Sequence, residues 1–119
     1  MDRVSKLEHR GRTVVLIDVS GCKAKEAAEV LIAGRVLVAT FAPASALTLT
    51  DVTGTTFDDA ATREAQTNAR QNAPFVKAGA LVGVTGLKKI VYTAVTRLTG
   101  RNFSVFDDRQ KALDWLAQQ

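Results

Sequence analysis

Short apolar runs alternate along this chain with longer segments of helical period. Val4 to His9 and Thr13 to Val19 flank Arg10-Gly11-Arg12, a short Gly-containing connection that suits a β-hairpin. The second arm, Val14-Val15-Leu16-Ile17-Asp18-Val19, is apolar at successive positions and so predicts a strand with both faces covered, central in a sheet. Ser20-Gly21 breaks it. Lys23 to about Phe41 then reads as a helix, first rich in Ala, Glu and Lys, with Pro43 just past its end. Its second half, Val30 to Ala39, is apolar nearly all round. Either neighbours wedge it deeply, or another chain covers part of it.

Ala46 to Val52 alternates, with Leu47 and Leu49 on one face and Thr48 and Thr50 on the other. A polar helix from Phe57 to about Gln71 carries Ala61, Ala65 and Ala69 as a small-residue contact strip, and Asn72-Ala73-Pro74 closes it. Ala78 to Thr85 predicts a strand, Leu87 to Leu98 a helix stopped by Gly100, and Asn102 to Phe106 a last strand. Asp107 or Asp108 can cap a final helix through Ala117, buried through Ala112, Leu113, Trp115 and Leu116.

The order β-β-α-β-α-β-α-β-α predicts an α/β fold: a hairpin, then right-handed crossovers, in a mostly parallel five-stranded sheet with helices mainly on one face. Thr48, Thr50 and Ser104 imply that the other face is thinly covered. No internal repeat or linker stands out, and residues 1–119 read as one domain.

Charge narrows the function. The net charge of +4 comes from sixteen lysines and arginines spread over the whole length, with only Lys88-Lys89 adjacent as lysines. That is a solvated surface rather than the dense basic stripe with stacking aromatics of a nucleic-acid binder. The single cysteine, Cys22, excludes an internal disulfide and fits a reducing compartment. Met1 to Lys6 is charged and leads into no apolar run, and Val30 to Ala42 is too short to span a bilayer. A cytoplasmic location is expected.

The run Leu47-Thr48-Leu49-Thr50-Asp51-Val52-Thr53-Gly54-Thr55-Thr56-Phe57-Asp58 resembles the strand, turn and acidic helix start of the STAS superfamily, the SpoIIAA-like fold of anti-sigma-factor antagonists. Val95 to Gly100 and Val105 to Leu113 are similar to the family's closing strand and helix. The resemblance covers nearly the whole chain and extends to small stand-alone bacterial STAS-like proteins. It implies a non-enzymatic signalling module that docks a regulatory protein partner through the loop and helix start around residues 51–59. Asp51, Thr53, Thr55, Thr56, Asp58 and Asp59 are then the partner-binding candidates. Phosphorylated antagonists carry Asp-Ser-Ser-Gly at this helix start. Here the residues are Asp58-Asp59-Ala60-Ala61, so no serine takes the phosphate and no phosphosite is carried over.

No catalytic set competes with this reading. His9, the only histidine, falls near the hairpin turn and reads as a surface residue. Cys22 opens the first long helix, where the dipole can lower a thiol pKa, yet a small buried thiol is the expected role. Neither has a ligand at useful spacing, and no metal or cofactor is implied. Asp58-Asp59 and Asp107-Asp108 read as helix caps. Thr85-Gly86 opens a helix with Lys88 beyond, a candidate anion site through free N–H groups, although neither GxGxxG nor GxxxxGK[ST] is present. The loops Ser20 to Cys22, Asp51 to Phe57, Thr85 to Lys88 and Phe106 to Arg109 should meet at the carboxyl rim of the sheet. The alternative function is a small-molecule or lipid-binding domain with a pocket beside helix 23–41. The apolar excess of that helix also predicts a homodimer.

Overall fold

The computed structural model describes residues 3–85 and 103–119. It forms an N-terminal β-hairpin, β1 (Val4–His9) and β2 (Arg12–Asp18), followed by α1 (Ala24–Val38), β3 (Ala46–Asp51), α2 (Asp59–Asn72), β4 (Val76–Val82), β5 (Phe103–Phe106) and α3 (Arg109–Ala117). The five strands lie in chain order, β1-β2-β3-β4-β5. β1 runs antiparallel to β2, and every other pairing is parallel. The hairpin turns on Arg10 and Gly11 alone, at φ of 51° and 78°. Two consecutive positive φ values match the right-handed twist of the strands, and glycine reaches one of them without strain. The sequence-predicted helix Leu87 to Leu98 lies outside the described residues.

Two apolar layers flank the sheet. Val15, Ile17, Val19, Leu81, α1 and part of α2 form the first, and Val14, Leu47, Leu49, Ala78, Ala80, Val82 and α3 form the second. Placing α1 and α2 on one face is what successive right-handed crossovers in one direction require. Gly34 lets α1 settle on β2, since a Cβ there would stand 2.8 Å from the Ile17 Cδ1 atom. α2 leans on α1: Arg35 pairs with Glu64 at 3.0 Å, and Asn68 Nδ2 donates to the Leu31 carbonyl at 2.5 Å. Ala61, Ala65 and Ala69 are all buried in α2, the contact strip expected from their spacing.

The threonines of β3 correct one inference. Thr48 lies between Val15 and Gly79 in register, and Thr50 beside Ile17, which puts both on the face under α1. Thr48 is buried there. The thinner layer is the leucine face, covered among the described residues by the nine-residue α3. Ser104, paired with Ala80, does lie on that thinner face, so strand polarity was a guide to cover in β5 and not in β3.

The apolar second half of α1 is not buried all round. Val30, Leu31, Gly34 and Val38 face inward, whereas Ile32 is 40% and Val36 65% exposed. Helix α1 ends at Val38, three residues before Phe41, whose ring instead lies under Lys6 Nζ at 5.3 Å. No helix among the described residues is long and apolar enough to cross a membrane.

Candidate functional site

Two parallel strands end in near-identical turns. β2 runs out through Asp18-Val19-Ser20-Gly21 and β3 through Asp51-Val52-Thr53-Gly54, with Asp18 and Asp51 paired in register. In each turn the aspartate folds back on the residue two ahead. Asp18 Oδ1 accepts from the Ser20 amide at 3.0 Å and from its hydroxyl. Asp51 Oδ1 accepts from the Thr53 amide at 3.0 Å and from its hydroxyl at 2.7 Å. This is the side chain–backbone bonding that makes Asp, Ser and Thr turn formers. The glycines follow at φ of 68° and 66°, where a side chain would strain the backbone.

The turns are stitched together. Val19 N–H donates to the Asp51 carbonyl at 3.0 Å, Gly21 N–H to the Thr53 carbonyl at 2.8 Å, and Thr56 N–H to the Cys22 carbonyl at 2.9 Å. The Thr55 hydroxyl donates to the Val19 carbonyl at 2.7 Å within the core. On the other flank Gly83, at φ 80°, passes so close that a Cβ would stand 2.0 Å from Thr53 Oγ1.

Arg109, the first residue of α3, closes the rim. Its Nε donates to Asp51 Oδ2 at 2.7 Å, and its Nη2 lies 3.2 Å from Asp18 Oδ2. Each carboxylate therefore spends one oxygen on its own turn and the other on the shared guanidinium. Burial alone would raise both carboxyl pKa values. The bonds from Thr53 and Arg109 outweigh burial at Asp51, and those from Ser20 and Arg109 outweigh it at Asp18, so both are held below the usual carboxylate range. The bond to Asp51 raises the Arg109 pKa in turn.

The sequence candidates divide at this rim. Asp51 and Thr55 are 6% and 3% exposed and turn inward as scaffold. Thr53, Thr56, Asp58 and Asp59 are exposed. Asp58 caps α2, accepting from Ala61 N–H at 2.7 Å, and Asp108 caps α3, accepting from Lys111 N–H at 2.8 Å. Three of the four predicted loops meet here. The fourth is described only as far as Thr85, which is exposed, and Gly86 and Lys88 of the candidate anion site lie outside the described residues.

Two minor candidates have structural roles. Cys22 is 1% exposed, and burial followed by Glu26 raises its thiol pKa, which keeps it protonated. His9 is no free surface residue: its Nε2 lies 2.9 Å from Asp114 Oδ1, tying the hairpin to α3.

Asp18 escaped sequence reasoning, and Arg109 was expected at the rim only as the end of a loop, without its role, although signals existed. The repeated Asp-Val-Ser/Thr-Gly is only four residues long, and it becomes meaningful once two strands are adjacent. Arg109 is a cation in the first turn of a helix, against the helix dipole, which calls for a fixed anion nearby.

No family profile and no curated protein sequence matches the chain. Its fold does match a solved one: an uncharacterised protein of Shewanella loihica with a SpoIIAA-like fold, from a family of unknown function. The two share 15% sequence identity at a TM-score of 0.69, covering 95% of this chain and 91% of that one. The protein therefore has a SpoIIAA-like fold.

Proposed function

We propose that this protein is a non-enzymatic regulatory module of STAS type that docks another protein through the rim formed by Thr53, Gly54, Thr56, Asp58 and Asp59. One observation carries the reading: these five residues are exposed, while Thr53 and Thr56 among them, with Thr55 between, are pinned by hydrogen bonds to the neighbouring turn and Asp58 is fixed as the cap of α2. A surface already held in one shape loses little conformational entropy on binding, which favours recognition over a mobile loop. Its polar groups are hydroxyls and carboxylates, suited to donors on a partner. Asp58 matches the acidic position of phosphorylated antagonists and Asp59 follows where they carry a serine, so the pair supplies standing negative charge and docking here needs no kinase step. The groove beside α1 is open to solvent, a poorer fit to an enclosed lipid site.

The test is affinity capture from a native lysate with Thr53→Arg/Thr56→Arg compared against wild type and a Lys77→Glu control, since Lys77 is exposed on β4. A protein retained by wild type and control and lost by the loop variant supports the reading. Identical capture by all three refutes it.

A further inference from the structure

The exposed side of α1 carries a row that is complementary to itself. Ala24, Ala28, Ile32 and Val36 recur every four residues, one inclined ridge of a helix spanning about 18 Å at 1.5 Å per residue. Ala24, Ala28 and Ile32 line an open groove of about 330 Å³ together with Ala60 and Ala61 from the start of α2. Ile32 and Val36 stand out of the surface, 40% and 65% exposed. The row therefore reads small, small, large, large.

We propose that a second copy of this chain occupies the groove, with the two α1 helices antiparallel about a two-fold axis near residue 30. That reversal seats Ile32 of each protomer on Ala28 of the other, and Val36 on Ala24. Every large side chain meets a small one, the condition for ridges to interlock. A parallel arrangement in the same register would set Val36 against Val36 and leave Ala24 facing Ala24.

Charge agrees with the reversal. The groove is bordered by Asp58 with Asp59 next to it on the α2 side and by Lys25 and Glu29 of α1, and Arg35, held by Glu64 and Asn68 of its own chain, lies at the Val36 end on the side facing α2. Antiparallel docking carries the Arg35–Glu64 pair of one copy to the Asp58 and Asp59 edge of the other, twice per dimer, so self-association and partner docking at the rim compete for these two carboxylates. A two-fold contact of this kind is closed and leads to a dimer, not a filament. One helix row per protomer is a small contact beside the roughly 800 Å² per partner of stable complexes, so the proposed dimer dissociates on dilution.

Sedimentation equilibrium over a concentration series tests the association. Wild type shifts from monomer to dimer by high micromolar concentration, and Ile32→Asp or Val36→Asp weakens this by at least about tenfold. Both positions are exposed, and circular dichroism verifies that the variants fold. Cysteine pairing tests the register: Ala24→Cys mixed with Val36→Cys forms an intermolecular disulfide under mild oxidation, and neither variant does so alone. Like positions in the dimer stand about 18 Å apart, beyond disulfide reach, and native Cys22 is buried. A wild type that stays monomeric overturns the proposal, as does cross-linking of either variant with itself in preference to the mixture.

Discussion

Replacing Arg109 with glutamine isolates the rim clasp. The substitution removes the 2.7 Å bond to Asp51 Oδ2 and the 3.2 Å ion pair to Asp18 Oδ2, and leaves both turns with their own Ser20 and Thr53 bonds. Stripping one partner from a fully buried ion pair costs about 3–5 kcal/mol. The Asp51 side chain is 8% exposed, but that of Arg109 is 41% exposed, so water reaches part of the vacated site. Screening of the exposed side reduces the expected cost to about 2 kcal/mol, within the range for hydrogen bonds to charged groups. At roughly 4 °C per kcal/mol for a domain of this size, the midpoint falls by about 8 °C at neutral pH. The pH dependence has a definite sign. Both carboxyls have lowered native pKa values, so their stabilisation is complete above the unfolded value near about 3.9 and fades as pH drops through the native values. Without Arg109 those native values rise, and the gap between variant and wild type closes in acid. Urea denaturation of both proteins from neutral pH to below pH ~3 measures this. A neutral-pH penalty under about 0.3 kcal/mol, or one that persists unchanged in acid, refutes the clasp.

Other substitutions probe the same architecture. Gly83→Ala puts a Cβ against Thr53 at a positive φ, so it destabilises by more than about 1 kcal/mol, and adding Thr53→Gly recovers part of the loss in thermal melts. Thr55→Val keeps the shape and loses the bond to the Val19 carbonyl, for a cost of about 1 kcal/mol in chemical denaturation. Asp58→Ala costs about 1 kcal/mol through the lost cap of α2, whereas Asp58→Asn retains most of it, a contrast that denaturation curves of the two variants resolve.

Much of this fold was legible because hydrophobic period and turn chemistry agree. Arg10-Gly11-Arg12 marked the hairpin, the apolar run of β2 marked a strand covered on both faces, and the pairs Asp58-Asp59 and Asp107-Asp108 marked helix starts, of which the structure uses Asp58 and Asp108 as caps. What failed was inference across space. Thr48 looks solvent-facing in one dimension, yet it is buried on the face under α1, because strand polarity does not say which layer covers it. Likewise Ala78 looked like the start of β4, which begins at Val76 through pairing with Ala46 at a register shift. The rim shows the same limit. Asp51, Thr53 and Asp58 announced a loop, and the parallel order of strands brought the Phe106 to Arg109 loop to the same edge, but that Arg109 bonds Asp51, 58 residues earlier in the chain, needed the structure.

Amide hydrogen exchange at Gly21 and Thr56 tests the central claim most directly. Both residues are exposed, and their N–H groups bond across the two turns. A pinned rim predicts protection approaching that of the interior β3 amides, with Arg109→Gln accelerating Gly21 and Thr56 far more than Leu49. Exchange at the rate of an unstructured loop in the wild type would contradict a preformed docking surface.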